Sequence, residues 1–215
     1  MMELQQTNLA LNDNEMSRQI ESKIIVLATH NKGKLEELKH LLSGTGIEVR
    51  TAGDLDVPEP DETGETFEEN AILKAKHATE KTGYIAIGDD SGLMIPALGE
   101  NIPGLRTKEY AYKHGGFPAV FEHLEKILVG QDHYAFFKTV IAVSWPDGHV
   151  ETFTGTAEGE LKFPPIGESG FGYDPIFQIE GSDKRYAQME LHEKNQTCSR
   201  AIALRRAIDA CLKRD

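Results

Sequence analysis

Only two cysteines, Cys198 and Cys211, stand among the 215 residues, and no cysteine–histidine cluster accompanies them. That excludes a zinc site of structural type and cofactor chemistry through sulfur. Both cysteines fall in one apparent helix, where 13 residues of rise (211 − 198) separate them by ~20 Å, beyond disulfide reach. No run approaches the roughly 18 consecutive apolar residues that a membrane helix needs, so no membrane partner is expected. Basic residues are in deficit, 23 against 35 acidic, for a net charge of −12. Broad binding to a nucleic acid polymer depends on a basic footprint and is not expected here. A small anionic ligand remains compatible, provided a few cations are focused locally and a metal helps. Internal repeats and low-complexity tracts are absent too. Residues 1–22 lack the basic start and apolar centre of a secretory signal. They are expected to form a flexible extension, with Met16 as an alternative start and the cytoplasm as the default location.

What is present suits one large domain or two closely joined lobes over residues 23–215. With 39% apolar and 27% charged residues, the composition is that of an ordinary globular protein. Lys23 to Ala28 is a short apolar run that predicts a buried strand. From Lys32 to Leu42, Leu35, Leu38 and Leu42 recur at helical spacing behind the cap residues Thr29 and Asn31. A second helix is expected after the loop Asp54–Gly64. Thr66 and Glu69 have capping-box spacing there, and Phe67, Ala71, Ala75 and Ala78 form an inward stripe. Tyr84 to Gly88 predicts a strand that stops at Asp89-Asp90-Ser91-Gly92. Phe117 to Leu128 predicts a helix. Phe136–Trp145 and His149–Thr156 predict a hairpin turned at Pro146-Asp147-Gly148. Gly159 to Tyr173 reads as an ordered loop, and Ala201 to Leu212 as an amphipathic helix. This order of elements predicts an α/β fold, a sheet with helices on both sides that the hairpin makes mixed.

Two places suggest chemistry. In Thr29-His30-Asn31-Lys32-Gly33-Lys34 a strand ends and a helix begins, so unpaired backbone N–H groups point outward. Two lysines add charge, and Gly33 permits close approach. By itself this turn reads first as a plain capped helix with solvated lysines and otherwise as an anion site; the P-loop pattern is missing. The second place is Asp89-Asp90. Adjacent carboxylates repel unless a cation shares them, and Mg²⁺ takes one or two protein carboxylates together with substrate phosphates. Glu62 offers a further oxygen ligand, and Asn70 and Lys74 share a helix face that looks toward the same cleft. An exposed Asx-type turn is the alternative.

These segments stand in a familiar order. Thr29 to Lys34 with Glu36-Glu37, Glu62-Thr63-Gly64, Glu69-Asn70-Ala71, Lys74-Ala75 and Asp89 to Leu93 are followed by Ala97-Leu98-Gly99 and Pro103-Gly104. Gly170 to Phe177, Glu193-Lys194-Asn195 and Arg200 complete the series. From about Lys23 to Leu212 the chain resembles the inosine triphosphate pyrophosphatase family. The resemblance implies an elongated mixed sheet with two lobes, a nucleotide cleft between them, and a homodimer. It implies Mg²⁺-dependent hydrolysis of noncanonical purine nucleoside triphosphates (ITP, dITP, XTP) to the monophosphate and pyrophosphate. By position, Asp90 matches the catalytic base and metal ligand, and Glu62 the other metal carboxylate. Thr29, His30, Asn31, Lys32, Gly33 and Lys34 match the triphosphate turn. Ser91 and Lys194 match further substrate contacts, and Lys74, from its helix face toward the cleft, is expected to bind substrate as well. Phe171, Gly172, Tyr173 and Asp174 match the segment that embraces the base, and Arg200 a base-reading residue. An arginine only donates hydrogen bonds and so favours a 6-oxo over a 6-amino purine.

Two departures bear on selectivity. The usual Ser-His-Arg reads Cys198-Ser199-Arg200, which puts Ser199 in a histidine's place at the base. The usual Ser-Ala-Arg-Tyr reads Thr107-Lys108-Glu109-Tyr110, an acid in place of an arginine. A pyrophosphatase for another modified or pyrimidine nucleotide, or a nucleotide-binding regulator without turnover, are the alternative readings.

Overall fold

In the computed structural model, which describes residues 17–99 and 102–212, a parallel pair and a long antiparallel hairpin join into one sheet. The elements are β1 (Ile24–Leu27), α1 (Lys32–Leu42), β2 (Glu48–Thr51), α2 (Phe67–Thr82), β3 (Ile85–Met94), α3 (Thr107–Lys113) and α4 (Phe117–Ile127). After them come β4 (Tyr134–Ser144), β5 (Val150–Leu161), β6 (Phe177–Ile179), α5 (Leu191–Thr197) and α6 (Ser199–Cys211). Strand order is β2-β1-β3-β4-β5-β6. β1 runs parallel to β2 and β3, and the remaining pairs are antiparallel, so the sheet is mixed as expected.

β3 does not stop at the aspartates. It pairs with β4 without a break from Ala86↔Ser144 to Met94↔Phe136, with Asp89 opposite Ile141 and Asp90 opposite Val140. Asp, Ser and Gly read locally as a turn, but nine consecutive pairings to an apolar strand outweigh that preference. β5 likewise continues through Gly159 to Leu161, into the segment expected to be loop. Gly155 lets α6 settle on the strand, since a Cβ there would meet the Ser199 carbonyl at 2.1 Å.

Side chains alternate along β3 and β4. On one face Ile85, Ile87, Ile141 and Val143 join α1 and α6 in one core, while Leu93, Ala135 and Ala157 join α4 in another. Asp89, Ser91 and Thr139 form the polar band between these two cores. On the opposite face Phe67, Ala71 and Ala75 of α2 cover Val140 and Ala142. The expected inward stripe of α2 is buried throughout.

Of the N-terminal extension, residues 1–16 lie outside the described residues. Arg18 N–H donates to Glu151 at 2.6 Å, its guanidinium lies 5.5 Å from the Trp145 ring centroid, and Ile20 N–H donates to the Cys211 carbonyl at 2.7 Å. Packing therefore begins before Lys23. Among the described residues no helix is long and apolar enough to cross a membrane. Cys198 and Cys211 are free, buried thiols.

Candidate functional site

β1 ends at Leu27 while β3 runs on to Met94, and β1 covers β3 only as far as Ile87. The remaining edge of β3 is the spine of a cavity of about 260 Å³. The strand-to-helix turn after β1 stands on one side of it. Asn31 caps α1, its Oδ1 accepting from Lys34 N–H at 3.2 Å, and Thr29 Oγ1 accepts from Asn31 N–H at 3.2 Å. Lys34 is turned inward and buried, Lys32 is exposed, and Asn31 and Lys34 line the cavity. His30 turns away, its N–H on Glu59 and its Nε2 3.0 Å from the Val57 carbonyl. The group pressed against Gly33 is the Phe171 ring, which a Cβ would meet at 2.3 Å.

Because β3 is a continuous strand, Asp89 and Asp90 point to opposite faces and do not share one cation. Asp89 is buried on the α6 face. Lys34 Nζ lies 2.9 Å from one of its oxygens and Arg200 Nε 2.9 Å from the other. Arg200 continues through Nη1 to Glu37 and through Nη2 to Ser91 Oγ at 2.9 Å. Lys194 joins Glu37 (2.8 Å) to Asp174 (2.6 Å). The result is a buried chain of three anions (Asp89, Glu37, Asp174) and three cations (Lys34, Arg200, Lys194). Burial pushes the Asp89 carboxyl up, but Lys34, Arg200 and Lys74 together hold it well below the usual range. Glu37 is lowered in the same way, against burial, by Arg200 and Lys194. Burial lowers the Lys34 ammonium despite Asp89.

Asp90 faces α2. Lys74 Nζ lies 2.9 Å from its Oδ1 and Asn70 Nδ2 3.3 Å from its Oδ2. The same ammonium lies 3.2 Å from Glu62 Oε1. Gly64 N–H donates to Asn70 Oδ1 at 2.8 Å and ties the Glu62 loop to α2. Thr66 Oγ1 accepts from Glu69 N–H as the spacing predicts; the Glu69 carboxylate, however, returns to Glu65 N–H. Two carboxylates thus converge on a single cation. Burial pushes Asp90 above its ordinary range, and Lys74 only partly offsets it. Among the described residues no cluster of three or more His, Cys, Asp and Glu stands ready for a metal; the convergence is this pair.

The cavity wraps the β3 edge from the carboxylate pair to an aromatic pole. Glu62 and Asp90 line one end; Ser91, Phe171, Gly172, Tyr173, Asp174, Lys194, Ser199 and Arg200 line the other, with Ser91 bonded to Arg200. Phe171 lies under Lys194 and Arg200, 4.8 and 5.7 Å from its centroid, and its N–H donates to Asp174 at 2.8 Å. Tyr173 is 1% exposed and meets the Phe117 ring edge-on. Thr29, His30, Lys32, Gly33 and Lys74 do not line the cavity; Lys74 acts on it through the two carboxylates. Among residues that the sequence-based set lacks, Thr139, Phe117, Phe137 and Tyr186 line the cavity, and Glu37 joins the charge chain beside it. Glu37 carried a signal, since it lies three residues after Lys34 and beside Leu38 on the inward face of α1. The others read as core residues and carried none.

Residues 25–210 match the Ham1 family. The dITP/XTP pyrophosphatase of Rhizobium meliloti (strain 1021) is 42% identical over 187 residues, 83% of this chain and 87% of that protein. That of Ruegeria pomeroyi is 40% identical over 202 residues, covering 91% and 98%. The structure of a HAM1 protein from Coxiella burnetii superposes with a TM-score of 0.76 at 37% identity, over 86% of this chain and 95% of that one. The resemblance that the order of the motifs suggests is borne out along nearly the whole described sheet. With a family match and relatives that span most of its length, the chain belongs to the Ham1 family.

Proposed function

We propose that this chain hydrolyses noncanonical purine nucleoside triphosphates, ITP, dITP and XTP, to the monophosphate and pyrophosphate. The observation that carries this reading is one cavity with two unlike poles. At one pole Glu62 and Asp90 share a single ammonium, and at the other the Phe171 ring stands beside the hydrogen-bonding side chains of Ser199 and Arg200. The names of the relatives, dITP/XTP pyrophosphatases, support the same substrate class.

The carboxylate pole suits Mg²⁺. Its donors are oxygens only, two carboxylates meet within hydrogen-bond reach of one cation, and together they carry one negative charge in excess of Lys74. Glu62 and Asp90 would hold the ion. When bound, it neutralises phosphate charge and lowers the pKa of coordinated water. Asp90 takes the proton of the water that attacks the α-phosphate, its carboxylate facing the cavity beside Glu62. Lys34 and the first N–H groups of α1 stabilise the charge left on pyrophosphate. Arg200, Ser199 and Ser91 meet the edge of the base, and Phe171 its face.

Pyrophosphate release, measured with Mg²⁺ and with EDTA over a panel of triphosphates, tests the proposal. Turnover of ITP and XTP well above ATP, abolished by EDTA, is expected. Release confined to pyrimidine nucleotides, or binding without release, would replace this reading with one of the two alternatives. The working form is proposed to be a homodimer serving the cytoplasmic nucleotide pool. Tyr112 and Val129, 87% and 77% exposed beside α3 and α4, are apolar surface that a second copy would cover. A monomeric mass by light scattering at assay concentration would refute the dimer.

A further inference from the structure

Two buried hydroxyls in the cavity wall take no part in the charge chain. Thr139 of β4 is 0% exposed, and its Oγ1 stands 2.8 Å from Ser199 Oγ, on the first residue of α6. Both line the cavity. Ser199 is not the cap of its helix; Cys198 holds that position, with no side-chain cap bond. Across the sheet Thr139 lies in register with Ser91, whose Oγ accepts from Arg200 Nη2.

A hydroxyl has one proton to give. If Ser199 donated to Thr139, the Thr139 proton would need a second acceptor at a fully buried position, and among the described residues Ser199 is its hydrogen-bond partner. Burying an unpaired hydroxyl proton is costly. Thr139 therefore donates, and the Ser199 proton is left for the cavity. Ser91, already accepting from Arg200, also keeps its proton for the cavity. Arg200 spends one N–H each on Asp89, Glu37 and Ser91 and can only donate with the rest.

We propose that Thr139 is a specificity-determining positioning residue: by donating to Ser199 it takes one of the two lone pairs of that hydroxyl and leaves its proton for the cavity, so that Ser199, Ser91 and Arg200 together present more hydrogen-bond donors than acceptors in its wall. Such a wall accepts a purine edge that carries oxo groups and leaves an amino group facing another donor. The inference rests on the nucleotide reading above and adds the residue that sets the polarity of its base pole.

Dissociation constants for ITP and ATP, measured by calorimetry in EDTA, test it together with kcat and KM in Mg²⁺. Thr139→Val keeps the shape and removes the donor. The Ser199 oxygen then has both lone pairs free to accept from an amino group, and the preference for ITP over ATP is expected to fall about two- to tenfold, chiefly in KM. Thr139→Ser restores the hydroxyl and with it the preference. An unchanged preference in Thr139→Val, or an equal loss of kcat on both nucleotides, overturns the proposal. If Thr139→Val does not fold, Ser199→Ala decides: weaker binding of ITP with ATP unaltered supports the donor wall, and unaltered ITP binding overturns it. A wild-type chain that binds ITP in preference to ATP yet releases no pyrophosphate would refute the catalytic reading alone.

Discussion

Asp89 and Asp90 are chain neighbours, and the sheet between their side chains gives them opposite surroundings. On the α6 face Asp89 belongs to a closed set of charges, three against three, each cation already bonded to its anion. On the α2 face Asp90 and Glu62 divide one lysine between them. The first arrangement is neutral and buried, so it holds Arg200, Lys194 and Lys34 in place. The second is short of positive charge and open to the cavity, so it has capacity for a cation and for a proton. Environments that push neighbouring carboxyls in opposite directions separate a structural acid from a reactive one.

The contrast breaks most sharply in turnover. Asp90→Asn should lose ~10²–10⁴ in kcat while its melting temperature moves by no more than a few degrees. Activity near wild type at saturating Mg²⁺ would remove Asp90 from the chemistry. Asp89→Asn should do the reverse. Taking one partner from a buried pair costs roughly 3–5 kcal/mol, so urea denaturation should show a large loss of stability; a midpoint equal to wild type would mean the α6-face chain holds nothing together.

Lys34 lies where the two regions meet. Lys34→Ala should weaken triphosphate binding about 10- to 150-fold, the worth of one charge-assisted contact, and monophosphate binding much less. Equal losses by calorimetry would mean that Lys34 serves Asp89 alone. The smallest effect is the pH dependence of the neutral set. Glu37 titrates below its ordinary value in the fold. Its stabilisation is therefore complete above the unfolded pKa and is lost as pH falls toward the lower, folded one. Glu37→Gln should flatten the acid slope of stability by up to about 1.4 kcal/mol per pH unit. An unaltered slope would place the titrating group elsewhere.

Much of this molecule is legible in its local sequence because the deciding forces are local. The leucine spacing of α1, the Asn31 cap, the alanine stripe of α2 and the hairpin turn at Pro146-Asp147-Gly148 each follow from backbone geometry within a few residues. The order of the motifs likewise pointed to the family. What Asp89-Asp90 become could not be read this way, because their local preference is for a turn and the pairing that overrides it comes from β4, some fifty residues on. The same holds for Glu37, an ordinary helix glutamate until α5 and α6 bring Lys194 and Arg200 to it, and for Thr139, a strand threonine until α6 sets Ser199 against it. The sequence determined which groups are available and in which elements they ride. Only the tertiary structure decided which charges neutralise each other and which are left facing the cavity, because burial and pairing depend on chain segments distant in sequence.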